Sequence, residues 1–185
     1  MGTGGYKIRN QGAIHFITFS VVEWIDVFTR PLYCDILLDS IRYCQSKKDL
    51  VLHGWCLMTN HIHLLAAAKQ NNLSDILRDF KKYTSKQLLT AIENNAAESR
   101  KEWMMKIFTG QGHNNLRNEN RQFWRQDNHP EECYSHWFTM QKLNYMHLNP
   151  VVAGIVSLPE HYRLSSAQDY FYEKKRGLLD IAFIS

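Results

Sequence analysis

Residues 50–67, LVLHGWCLM-TN-HIHLLAA, decide the fold. Two apolar runs, Leu50–Met58 and His61–Ala67, flank the polar pair Thr59-Asn60, the pattern of two strands joined by a tight turn. The uncharged stretch from Leu50 to Ala68 is long enough to suggest a membrane span, but His53, Thr59, Asn60, His61 and His63 are expensive in hydrocarbon, so a hairpin is expected instead. Upstream, AIHFITFSVV (13–22) is apolar on both alternating faces and reads as a central strand. Pro31 then suits the first turn of a helix, with Leu32, Ile36, Leu37, Ile41 and Cys44 at helical spacing up to Lys47-Lys48. Downstream, Asn72 and Ser74 are candidate N-caps for a long helix through Ile92. Next come a short helix over Glu98–Phe108, a Gly/Asn-rich loop over 110–118, and QFWRQ (122–126) as a fourth strand. A last helix is expected from Ser135 to Asn149, ended by Pro150, with a packed tail over 151–185. The order strand, helix, strand, strand, helix, strand is the ferredoxin-like split βαβ arrangement. This is an α+β fold with an antiparallel sheet, here carrying an additional C-terminal helix.

The chain has 185 residues, 44% hydrophobic and 22% charged, which suits one domain, expected over 13–185 after a flexible leader at 1–12. Its charge of +4 permits a nucleic-acid partner without requiring one. Met1-Gly-Thr-Gly-Gly-Tyr lacks the basic-then-apolar run of a secretory signal. The four cysteines, Cys34, Cys44, Cys56 and Cys133, contain no CxxC pair, so reduced thiols in a cytoplasmic protein are expected.

Three groups of residues could carry chemistry. His61 and His63 project from one face of a strand, where two imidazoles can converge on a divalent metal; the same pair also suits an inert half-buried strand. Tyr145 and Asn149 share one face of the last helix, a hydroxyl nucleophile followed one turn later by an amide oxygen acceptable to hard cations. Taken alone, they equally suit a core tyrosine and a helix stop before proline. Basic residues alternate with aromatics in RDFKKYTSKQ (78–87) and again where Arg117, Arg121 and Arg125 surround Phe123 and Trp124. Such mixtures fit single-stranded nucleic acid, or simply a solvated helix face.

The motifs MTNHIHLL (58–65), FKKYTSKQL (80–88), FWRQ (123–126) and LNYMHLNPVVAGIV (143–156), followed by Ser165-Ser166, occur in this order along nearly the whole chain. The set resembles the single-tyrosine transposases of the HUH superfamily, most closely the REP-associated branch of the IS200-like transposases. The resemblance implies a DNA transposase and endonuclease that cleaves and rejoins single-stranded hairpin DNA through a 5′-phosphotyrosine at Tyr145. It implies a divalent metal, Mg2+ or Mn2+, held by His61, His63 and Asn149. DNA-contact candidates are Arg78, Lys81, Lys82, Tyr83, Lys86, Arg121 and Arg125. The expected partners are hairpins at element ends or repetitive extragenic palindromes, with no membrane, in a bacterial cytoplasm close to the nucleoid. Both a homodimer with exchanged tyrosine helices and a site completed within one chain stand open. Thr59 replaces a proline often found before Asn-His, and Val152 an arginine often found after Asn-Pro-Val. A domesticated module of the same fold that binds DNA without cutting it is the alternative. An unrelated metal-dependent hydrolase would need a third His or a carboxylate beside His61.

Overall fold

The computed structural model describes residues 8–113, 120–126, 130–175 and 177–184. Four strands, β1 (His15–Ser20), β2 (Leu50–Leu57), β3 (His61–Ala68) and β4 (Glu131–Glu132), form an antiparallel sheet in the order β2-β3-β1-β4. This is the expected split βαβ order, with β3 inserted between β1 and β2. Among the described residues the α-helices are α1 (Pro31–Lys47), α2 (Leu73–Asn94), α3 (Lys101–His113), α4 (His136–Val152) and α5 (Ala167–Tyr172).

Strand alternation divides the sheet into two unlike faces. One face carries Ile17, Phe19, Ile62, Leu64 and Ala66 and packs against α1, α2 and α3 in the main core. The opposite face carries Phe16, Cys56 and Leu65, and α4 lays Leu143 and Met146 across it. Burying each of the larger side chains, Ile, Leu, Phe and Met, contributes about 1.5–3 kcal/mol, so both layers are held mainly by apolar contact. Gly54 lets α4 come close. A Cβ at that position would lie 2.6 Å from Leu143 Cδ1 and 3.3 Å from Met146 Cε, so a side chain there would force these two side chains of α4 to repack.

Several expected boundaries shift. The fourth strand is not residues 122–126 but Glu131–Glu132, which pairs with His15 and Phe16. The earlier segment runs along the same edge of the chain further on, where Trp124 makes a single bridge to Val21. Phe123 and Trp124 are both buried, so this stretch is fixed by core packing and not by a strand ladder. Pro150 does not stop α4, which continues to Val152. The proline forfeits one N–H bond near the helix end. The actual stop is a Schellman turn, in which Gly154 at φ +71° donates to Val151 and Ile155 donates to Pro150. Helix α3 runs through Gly110 to His113, consuming part of the expected 110–118 loop. The rest of that loop, with Arg117, lies outside the described residues.

Asn72 occupies the N-cap position of α2 without a side-chain cap bond. Gln11 does the capping, accepting from the Ser74 N–H at 2.8 Å and donating to Ser74 Oγ at 2.7 Å. Glu98, expected within a helix, precedes α3 and is buried between Arg30 and Arg100, tying the start of α1 to the start of α3. Its carboxyl is held down to about 2, chiefly by the Arg100 hydrogen bond. The four cysteines are unbridged. Among the described residues no helix is long and apolar enough to cross a membrane.

Candidate active site

The site grows out of sheet register. Thr18 on β1 lies opposite His63, and Ser20 opposite His61, so both histidines emerge on the face covered by α4. Their ring centroids are 4.7 Å apart. Asn60 Oδ1 can only accept a hydrogen bond, so the 2.7 Å contact with His61 Nδ1 places the proton there and leaves the Nε2 lone pair available. Asn60 is oriented in turn, donating to Asp26 Oδ1 at 3.0 Å and to the Trp24 carbonyl at 3.3 Å. Thr59 donates to the same Asp26 oxygen at 2.6 Å. His63 is arranged in parallel: Nδ1 meets Thr18 Oγ1 at 2.8 Å, and Nε2 is buried without a hydrogen-bond partner. Two imidazoles, each fixed through Nδ1 with Nε2 left unpaired, are what a divalent metal requires of histidine ligands.

Helix α4 brings the other two candidates. The Tyr145 ring stands 5.6 Å from His63 in an edge-to-face contact and 6.0 Å from Phe16, which itself stacks on His63 at 5.1 Å. Tyr145 is nevertheless 54% exposed, so its hydroxyl is open to a macromolecular substrate. Asn149, one turn on, donates its Nδ2 to the Tyr145 carbonyl at 3.1 Å, which leaves the amide oxygen as the group able to ligate. Lys142, one turn before Tyr145, lies 4.9 Å over the Phe16 ring and pairs with Glu131 at 2.7 Å. Among the described residues no group of three His, Cys, Asp or Glu side chains could hold a metal. The Asn149 amide oxygen is of a type that hard divalent cations accept as a ligand.

The Tyr145 helix is locked to the sheet from its far side. His147 Nε2 bonds Ser166 Oγ at 2.8 Å, and that hydroxyl accepts from the Trp55 N–H of β2 at 3.0 Å.

Burial, with help from His61 and Lys142, pushes the His63 imidazole down to about 3, and burial alone pushes His147 down to about 4. Both rings are neutral in the fold at neutral pH, whereas in the unfolded chain they protonate near 6.5. A depressed histidine makes the unfolded state bind more protons, so stability is full above pH 6.5 and falls as pH drops below it. By pH 5.5 the two together should cost about 3 kcal/mol, since both folded values lie lower still. Urea denaturation at pH 7.5 and 5.5 measures this, and His147→Gln should show a shallower fall than the wild type.

The DNA-contact candidates separate by position. Helix α2 lies on the sheet face away from the histidines. On it Arg78 is paired with Asp75 and Asp79, at 2.5 and 3.1 Å. Arg121 is doubly bonded to Glu93 at 2.9 Å. Lys82, Lys86 and Tyr83 are exposed, the two lysines lining a shallow groove with Arg121. Lys81 donates to the Arg125 carbonyl at 2.8 Å, and the Arg125 guanidinium sits 5.3 Å over Trp24. The Trp24 ring in turn stands 5.9 Å from His61. Arg125 therefore lies on the histidine side of the rim. The sequence reading did not include Thr18, Asp26 and Asn60, which hold the histidines. Asn60 beside His61 is the one with a local signal, whereas Thr18 and Asp26 reach the site only through register and turn geometry.

Three comparisons bear on this arrangement. Residues 11–126, more than half of the chain, match the family model described as IS200-like transposase. A solved structure of a REP-associated tyrosine transposase bound to a REP hairpin superposes with a TM-score of 0.66 at 14% identity, over 99% of this chain and 92% of that one. At that identity the likeness is one of fold, and it extends through α4 and the tail. No curated protein sequence matches the chain. The family match spans His61 and His63 and ends before Tyr145, and on it the chain belongs to the IS200-like transposases.

Proposed function

We propose that this transposase cleaves and rejoins single-stranded hairpin DNA through a covalent 5′-phosphotyrosine at Tyr145. The observation that carries this reading is the exposed Tyr145 ring 5.6 Å from His63, whose buried Nε2 has no partner. His61, His63 and Asn149 would hold a divalent cation, Mg2+ or Mn2+, which when bound neutralises charge on the scissile phosphate and helps orient it.

The chain's own residues account for the rest. Tyr145 Oη bonds to phosphorus as its phenolic proton departs, and the bond from phosphorus to the 3′-oxygen breaks, leaving a free 3′-hydroxyl once that oxygen is protonated. One phosphodiester is exchanged for another, so attack by a different 3′-hydroxyl rejoins the strand without ATP. The His147–Ser166–Trp55 lock keeps α4 in register, so the nucleophile and the phosphate meet in fixed geometry. Exposed Lys82 and Lys86, with Arg125 at the rim, are available to bind the DNA backbone. The hairpin carried by the solved transposase of the same fold supports DNA hairpins as the substrate class.

A denaturing gel tests the reading. Protein is incubated with labelled hairpin oligonucleotides from the DNA flanking its gene, with manganese or with chelator. A covalent band with manganese and none with chelator is expected. Binding on a native gel without any covalent band would instead identify a module that holds DNA and does not cut it.

A further inference from the structure

Trp24 differs in exposure from the aromatic residues of the main core. Phe19, Phe28, Phe123 and Trp124 are buried, whereas Trp24 is 50% exposed. It sits in a tight 3-10 turn where both Glu23 and Trp24 adopt positive φ, 51° and 53°, a conformation that side-chain-bearing residues rarely take. Nothing in core packing requires an indole there. Its place is nonetheless fixed relative to the candidate metal ligands: Asn60, which orients His61, also donates to the Trp24 carbonyl, and the Trp24 and His61 rings are 5.9 Å apart.

Trp24 borders a cleft of about 520 Å³ that Arg125, Gln111, Gln122 and Gln126 also line. The Arg125 guanidinium lies 5.3 Å over the indole. Gln111 donates to Glu23 Oε1 at 2.7 Å and Gln122 to the Trp124 carbonyl at 3.0 Å, so both amides are held in set orientations. An exposed ring, a guanidinium and amide groups around one polar cleft match the chemistry of an unpaired nucleobase: a π face, a neighbouring phosphate, and an edge of donors and acceptors.

We propose that this cleft receives an unpaired base flanking the scissile phosphate, stacked on Trp24, with Arg125 meeting an adjoining phosphate and the glutamine amides facing the base edge. Trp24 is then a positioning residue. It fixes which phosphate of the strand lies at His61 and His63. The inference rests on the DNA-cleaving reading above and extends it to the choice of cleavage position.

The test uses the full chain and a hairpin oligonucleotide with unpaired flanks taken from beside its gene, with 2-aminopurine placed at each flank position in turn. With wild-type protein, one position next to the cut should lose fluorescence on binding. Trp24→Gly suits the positive φ while deleting the ring. It should restore fluorescence at that position and lower the cleavage rate about tenfold, as loss of one base–aromatic stack does. Trp24→Phe should recover most of both. An abasic lesion at the same position repeats the test without altering the protein: it should slow the wild type about tenfold and leave Trp24→Gly unchanged. Equal fluorescence and cleavage in wild type and Trp24→Gly, with the wild-type covalent adduct intact, overturns the base subsite alone. Absence of any wild-type adduct overturns the cleavage reading and this inference with it.

Discussion

Tyr145→Phe should form no covalent adduct with hairpin DNA and should lose cleavage by at least about 10⁴-fold, the scale on which enzymes fail when the nucleophile itself is removed. Native-gel affinity should stay within a few-fold, because the substitution deletes one oxygen and keeps the ring that packs beside Phe16 and His63. The other tyrosines provide the control. Tyr162 and Tyr170 donate to backbone carbonyls of β2, and burial pushes both hydroxyls up, Tyr170 to about 12. Tyr33 is buried against Glu98. Tyr83 is exposed, but α2 holds it on the sheet face opposite the histidines. Tyr83→Phe should therefore form adduct at the wild-type rate. An adduct retained in Tyr145→Phe and lost in Tyr83→Phe would move the nucleophile to the other side of the molecule and dissolve the proposed site.

The hairpin of residues 50–67 was legible because both its strands and its turn are local. Alternation in His61-Ile62-His63 sends Ile62 to the main core and the two imidazoles to the other face, whatever the rest of the chain does. Helix α1 was legible for the same reason: Pro31 opens it, as expected from the sequence. The fourth strand was not. Glu131–Glu132 has no alternating apolar pattern to reveal it, and it is a strand only because the β1 edge is available. Phe123 and Trp124 carry the stronger β signal, but they spend their side chains on the core. Pro150 misled for a related reason. A proline in the last turn costs α4 one hydrogen bond, which the Gly154 turn and the Leu143 and Met146 contacts outweigh. In the site, the residues that would do chemistry announce themselves by type, whereas those that orient them do not. Asp26 is an ordinary loop carboxylate until the 59–60 turn folds back onto it. The Thr59 departure from the family pattern finds its use there, as a donor to Asp26.

The division between ligand and orienting residue gives the second large expected effect. His63→Ala should reduce manganese-dependent cleavage more than 100-fold, and added manganese should not restore it, because the substitution removes a donor atom from the proposed set of three. Thr18→Val keeps the donor and deletes only the hydroxyl that holds Nδ1 at 2.8 Å. Losing such an orienting partner typically costs about 10- to 100-fold in metal affinity or activity. Part of that loss should be recovered at high manganese, since the affinity has changed and the chemistry has not. The two variants also differ in stability. His63 Nε2 is a buried polar atom without a partner, so alanine relieves an unmet desolvation cost even as it opens space beside Phe16. Its denaturation midpoint should accordingly fall less than a buried truncation of that size otherwise implies. In Thr18→Val, by contrast, His63 Nδ1 also becomes unpaired, and the midpoint should fall without compensation. Manganese titrations of cleavage, run beside urea denaturation without metal, read both effects. Full cleavage by His63→Ala would remove the ligand role, and equal manganese dependence in Thr18→Val and wild type would remove the orienting one.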